Sequence, residues 1–354
     1  MDKKLTGKVQ TVLGVIDGEE LGFTLPHEHL LLDLTVRFKL LDENISTRVM
    51  SQKPVCFETI GWIRFHAYEN RDNLMLDDEE MIIKEALLYQ RAGGQTIVDM
   101  TNWGIGRDPQ ALTRISRATG LKIVMGSGYY TVDSACGPTL KARTEEEIVD
   151  DIVKDIMAGT DGICPGMIGE IGADSWPLDN EEIKSLRAAA RAQQATGASV
   201  NIHPGRLEES PLQILQILDK AGADLSRVVM SHLDRTAYSF ESMVEMAKTG
   251  CYLEFDCFGI EGYYPRRYGV FDMPNDAQRV NYIIQLIDKG YLNQILISTD
   301  MAMKMKLASY GGPGYAHILD NVIPWIRAKG VPEETIHTIT VENPKRMLTF
   351  VSPS

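Results

Sequence analysis

The sequence contains no run approaching the roughly 20 consecutive apolar residues that a membrane-spanning helix needs. Its basic start, MDKKLTGKVQ, is not followed by the apolar core of a signal peptide. Neither a membrane span nor a secretory leader is expected. Cysteine is scarce: Cys56, Cys136, Cys164, Cys251 and Cys257 make five, an odd number, with no CxxC pair. That usage reads as reduced thiols packed as small hydrophobes, and the expected compartment is the cytoplasm. Basic residues are outnumbered, 36 Lys and Arg against 49 Asp and Glu, for a formal charge of −13. A nucleic-acid partner, which needs clustered Lys and Arg for phosphate contacts, is not expected. Internal repeats and low-complexity linkers are also missing.

What is present is an alternation. With 44% apolar and 24% charged residues, the 354-residue chain has the composition of a globular protein with a full core. Strand-like runs fall at 23–33, 95–101, 122–130, 166–172, 198–204, 227–234, 252–259 and 294–301, each apolar or β-branched and each ending in polar or glycine residues. Helix-like segments lie between them at 78–92, 144–157, 181–196, 211–221, 240–248, 276–289 and 316–328. Thr144 with Glu147 three residues on forms a capping-box pattern. Gly93, Gly159, Gly197, Gly222, Gly250, Gly290 and Gly330 stand at helix C-terminal ends. Eight β-α units predict a parallel sheet closed as a single (β/α)8 TIM barrel over 1–354. The alternative is an open doubly wound sheet, against which stands the lack of a GxGxxG after the first strand. Three connections are long: 34–77 after strand 1, which is aromatic and shows no helix pattern, 260–274 after strand 7 and 302–315 after strand 8. Loops after barrel strands line the active site, so all three are candidates for substrate contacts; the first is equally suited to a lid or to a homodimer contact.

Four of the seven histidines lie on strand runs: His27 and His29 on the first, His203 on the fifth, His232 on the sixth. In PHEH the two imidazoles are two apart, so a strand points both to one face, here the barrel interior. One inward histidine is readily a core residue, but four need a common partner. Neutral imidazole is a preferred ligand of zinc and similar divalent metals. Glu170 ends the fourth strand and Asp300 the eighth. Six ligands are too many for one tetrahedral zinc and suit two metals sharing a bridge.

The segments GKVQTVLGVIDGEELGFTLPHEHLLLD, GEIG, NIHPG, SHLDRT, STD and VENPKRML, spread from about Lys8 to Phe350, resemble the phosphotriesterase family of the amidohydrolase superfamily, and within it the phosphotriesterase-related protein branch. The resemblance implies a binuclear metal-dependent hydrolase working through a metal-bridging hydroxide. His27, His29 and Asp300 would hold the buried ion, and His203 and His232 the more exposed one. Glu170 takes the bridging position that a carboxylated lysine fills in much of the family; a single-metal site with Glu170 merely nearby is the alternative. Zinc suits these ligands, and manganese, iron or cobalt also fit. Asp300 would carry the proton from the attacking water to the leaving group. Asp234 would relay that proton, orient an imidazole or pair with Arg235. Tyr129 and Tyr130 end the third strand, where one of them would meet substrate. Cys257 stands where related lactonases carry arginine. Arg266 and Arg267 suit a carboxylate, phosphate or sulfonate. The expected small-molecule substrate is a carboxyl ester, lactone or N-acyl amide with an anionic group. The alternatives are phosphotriester or phosphoester hydrolysis and a barrel that binds a metal or small ligand without turnover.

Overall fold

The computed structural model describes residues 5–42, 44–237, 239–261 and 273–354. Its frame is eight parallel strands hydrogen-bonded in sequence order: β1 (Thr24–Glu28), β2 (Thr96–Asp99), β3 (Lys122–Ser127), β4 (Met167–Ala173), β5 (Val200–Pro204), β6 (Val228–Met230), β7 (Tyr252–Phe255) and β8 (Ile295–Ile297). Each lies within or one residue beyond a predicted run, and most are shorter. The ladder stops where the chain leaves the barrel carrying polar side chains. Between β8 and β1 a seam built largely by side chains takes the place of a ladder. The His27 N–H donates to Ser298 Oγ at 3.1 Å, and the Asp300 N–H donates to the His27 carbonyl at 3.2 Å. The fully buried Glu28 carboxylate accepts from the Ser298 hydroxyl, from both the N–H and the hydroxyl of Thr299, and from the Met301 N–H, all at 2.8–2.9 Å. The sheet is therefore a nearly closed (β/α)8 barrel, and the open-sheet alternative falls.

The seven predicted helical segments are helical, and Thr144 and Glu147 form their capping box. Gly197 closes its helix at φ +73°, where a Cβ would stand 1.9 Å from the Val351 carbonyl. The longest helix that went unread in the sequence is Pro109–Thr119, which carries the Asp108 cap and Pro109 in its first turn; the short helices Gly137–Ala142, Glu333–His337 and Asn343–Leu348 were also unread. The first long connection is not devoid of helix: Ile45–Ser51 and Phe57–Ile63 each form about two turns, too short to show a period. An antiparallel pair, Leu32–Asp33 with Met75–Leu76, ties off its base. Part of the connection after β7, residues 262–272, lies outside the described residues.

Inward positions recur every second residue along a strand. At the amino end they are apolar: Val98, Val124, Met167, Val229 and Leu296 pack together, sealed by Val9 and Leu21 below and by Met347 and Leu348 of the last helix (Asn343–Leu348). Toward the carboxyl end the same rows turn polar, as in Tyr252, Glu254 and Asp256 along β7 and its continuation. A dry plug thus supports a polar layer. All five cysteines are free. No helix among the described residues is long and apolar enough to cross a membrane.

Candidate metal centre

The polar layer brings together all six of the residues His27, His29, Glu170, His203, His232 and Asp300, each buried or nearly so. Glu170 is central. Its Oε2 lies 3.8 Å from His27 Nε2 and 3.9 Å from His29 Nε2. Its Oε1 meets His203 Nδ1 and lies 2.7 Å from His232 Nε2. One carboxylate therefore faces two pairs of imidazoles with opposite oxygens. Asp300 Oδ1 stands 3.4 Å from His29 Nε2, and its Oδ2 is 3.9 Å from His232 Nδ1.

The donor set suits cations. His27 Nε2 is buried without a hydrogen-bond partner among the described residues, and His232 Nε2 lies only 3.0 Å from His203 Nδ1. Ring nitrogens converging in this way are arranged for a shared acceptor of lone pairs, which is what a divalent ion is. The outer nitrogens are held from behind, as ligand imidazoles usually are. His27 Nδ1 is 3.0 Å from Glu254, His232 Nδ1 is 2.9 Å from Asp256, and His29 Nδ1 is 2.9 Å from Thr101. Glu254 also accepts from the Asn201 amide and the Ser231 hydroxyl, so β5, β6 and β7 share one buried carboxylate.

Electrostatics follow this layout. Burial lowers the His27 imidazole, but Asp256, Glu254 and Glu170 outweigh it and hold its pKa well above the ordinary value. Burial also lowers His203 and His232, and there nearby cations deepen the effect, so both sit well below. Burial raises the Glu170 carboxyl against the pull of His27 and His29. Burial would raise Asp300 too, yet the His29 hydrogen bond with His232, Lys306 and His27 keeps it well below the carboxylate range. Backbone geometry aims two of these groups: His232 has φ +54° and Asp300 φ +45°, left-handed values rare outside glycine. The Asp256 carboxylate accepts the His232 N–H at 3.0 Å, and Lys306 Nζ donates to the Thr299 and Asp300 carbonyls.

Other predicted residues fare differently. The Tyr130 hydroxyl is 3.5 Å from both ring nitrogens of His203 and lines the cleft above it. Tyr129 turns away and donates to Asp151 at 2.7 Å, so it is the packing member of the pair. Asp234, expected to relay a proton or orient an imidazole, instead accepts from Arg279 Nε at 2.7 Å and from the Cys257 N–H at 3.0 Å. The carboxylate that orients His232 is Asp256, which sequence reasoning missed together with Glu254. Cys257 lines the cleft with a thiol that burial pushes well up, hence protonated. Arg266 and Arg267 lie outside the described residues.

The cleft, about 470 Å³, opens over Glu170, His203, His232 and Asp300. Leu34, Tyr68, Ile105 and Met303 make it apolar on one side, while Arg37, Arg206 and Arg235, none anticipated as substrate contacts, line it elsewhere. A larger hollow of about 870 Å³ lies at the amino end of the barrel, but no histidine lines it. The chemistry belongs to the smaller cleft.

Known proteins share this architecture over nearly the whole chain. A family model described as the phosphotriesterase family matches residues 7–348. An N-acetyltaurine hydrolase of Dictyostelium discoideum is 42% identical, with 98% of each chain covered. The human N-acetyltaurine hydrolase is also 42% identical, covering 98% of this chain and 99% of its own. The crystal structure of a resiniferatoxin-binding protein from Rhodobacter sphaeroides superposes with a TM-score of 0.92 at 36% identity, covering 97% of this chain and 95% of that one.

Proposed function

This chain belongs to the phosphotriesterase family and is a metal-dependent hydrolase; on that footing we propose that it cleaves N-acylated amines bearing an anionic group, using two divalent ions held by His27, His29, Glu170, His203, His232 and Asp300. The observation that carries the two-ion reading is Glu170, whose two oxygens face separate imidazole pairs. A carboxylate serving one ion would not need both sides lined. The substrate reading rests on the relatives named as N-acetyltaurine hydrolases, since N-acetyltaurine is an amide ending in a sulfonate.

When bound, two such ions, zinc being well suited to this ligand set, acidify water and polarise the scissile carbonyl. The chain's own groups supply the rest. Asp300, kept ionised by its cationic neighbours, takes the proton of the attacking water. The same carboxyl then delivers it to the departing nitrogen, which cannot leave as an amide anion. Asp256 and Glu254 keep the His232 and His27 rings aimed through both steps. Tyr130, whose hydroxyl lies beside His203, is placed to donate to the substrate's oxygen.

The test is metal content on protein purified without chelator, joined to assays of N-acyl amino-sulfonates, N-acyl amino acids, lactones and aryl phosphoesters. Two ions per chain with chelator-sensitive amide hydrolysis is the expected result. One ion per chain would remove the bridging role of Glu170. Turnover of phosphoesters alone would move the electrophile from carbon to phosphorus.

A further inference from the structure

Five βα connections converge on the outer edge of His203. Arg37 comes from the connection after β1, and Arg206 follows β5 by two residues. Arg235 lies in the short helix Leu233–Thr236 after β6, and Asp174 directly follows β4. Asp133, after β3, completes the set. Arg37 Nη1 lies 3.0 Å from Asp174 and 2.9 Å from Asp133, and Arg206 also pairs with Asp174. The Arg37 guanidinium lies 5.4 Å from the centre of the Tyr130 ring. Arg235 Nη2 approaches His203 Nε2 to 3.3 Å. All three arginines line the cleft.

These side chains are not dispersed surface cations. Arg37 is 4% exposed and Arg235 also 4%, with the Arg206 side chain 10% exposed. Three guanidinium groups acting on the same imidazole, largely out of water, concentrate positive charge at one wall of the cleft. Asp174 offsets part of it. Burial raises that carboxyl, but Arg206, Arg37 and Arg235 overcome the effect and hold it below its ordinary range. Asp133 is less engaged, its side chain being 55% exposed.

The geometry points to a further subsite: Arg37, Arg206 and Arg235, braced by Asp174, receive the anionic end of the substrate. The inference rests on the hydrolase reading above and deepens it. Arg235 reaches one nitrogen of His203 while the other meets Glu170, so the anionic end lies a short way from the scissile bond. Guanidinium groups arriving from three connections suit an oxyanion with several oxygens, a sulfonate or a carboxylate, through charge-assisted hydrogen bonds.

The experiment compares N-acetylated two-carbon amines ending in a sulfonate, a carboxylate or a neutral hydroxyl. Wild type should favour the two anions, and Arg206→Met should lower the ratio of kcat/KM for anion over hydroxyl by about 30-fold, mainly through KM. Arg206→Lys, which keeps the charge and loses the fork, should fall between them. Arg37→Gln should repeat the loss should Arg206→Met fail to fold. Arg114→Gln, an exposed residue paired with Glu79, should leave the ratio unchanged. Equal losses on charged and neutral substrates would reduce the trio to a structural role and overturn the subsite. So would a ratio lost only in Arg266→Gln or Arg267→Gln. Calorimetry with 2-aminoethanesulfonate separates the two levels of the reading. A wild type that hydrolyses none of the three yet binds this probe in an Arg206-dependent way keeps the subsite and loses the reaction. One that hydrolyses all three alike, with no dependence on Arg206, keeps the reaction and loses the subsite.

Discussion

Two sides of one site carry opposite charge. Beneath the imidazoles lie carboxylates: Glu254 and Asp256 against His27, with Asp256 also against His232. Beside the outermost imidazole lie guanidinium groups, with Arg235 against His203 and Arg206 and Arg37 close by. His27 and His203 are both buried and both turned to Glu170, yet their environments drive their pKa values in opposite directions. Burial acts on both alike, so the second neighbour decides. An acid layer under a set of lone pairs favours a cation at the centre. A basic wall at the mouth favours an anion in the cleft. On the proposed reading, the arrangement separates the holding of metal from the holding of substrate within one end of the barrel.

The largest expected effect tests the acid that stands between these two sides. Asp300→Asn should lower kcat by about 1,000-fold while retaining most of the metal, because an amide can still coordinate but cannot carry the proton. Unchanged turnover would assign the proton elsewhere. The next effect lies within the acid layer. Asp99 accepts the Leu30 and Thr101 N–H groups behind His29, and burial raises its carboxyl from the ordinary 3.8 to about 6. A carboxyl raised in the folded state gives stability that is full below pH 3.8 and is lost as pH climbs through 6. In chelator-treated protein, the unfolding free energy of wild type relative to Asp99→Asn should therefore fall by up to about 3 kcal/mol between pH 4 and 7. A difference that stays flat over that range would show that burial does not perturb this group.

The two sides were not equally legible in the sequence. The barrel and the six converging residues could be read because each leaves a local mark: PHEH places two imidazoles on one strand face, and Glu170 and Asp300 end apolar runs. The acid layer left a mark that was overlooked. Tyr252, Glu254 and Asp256 alternate with Leu253 and Phe255, which is a strand turning two acids inward. Asp234 misled for a physical reason. Its nearness to His232 in sequence means little once the chain turns left-handed at His232 and starts a helix, swinging Asp234 toward Arg279, 45 residues away. The basic wall left no local mark at all. Arg37, Arg206 and Arg235 sit in three connections with no shared spacing, and only closure of the barrel brings them together.

The smallest effects are the ones that can break the comparison between the two sides. Asp256 holds His232 Nδ1 at 2.9 Å and lies 3.3 Å from His27 Nδ1, so Asp256→Asn should weaken metal binding by about 10- to 100-fold in a chelator competition. Tyr130 meets His203 only at 3.5 Å, at the outer limit of a hydrogen bond, and on the side where three guanidinium groups outnumber the carboxylates of Asp174 and Asp133. Tyr130→Phe should therefore shift metal affinity by less than about threefold, within the range of a weak neutral contact, and should show its effect in substrate kinetics. If the two variants lose metal to the same degree, the imidazoles are held by packing alone and the charge on either side does not assign its task. If Tyr130→Phe loses more metal than Asp256→Asn, the division is reversed, and the mouth rather than the buried layer anchors the ions.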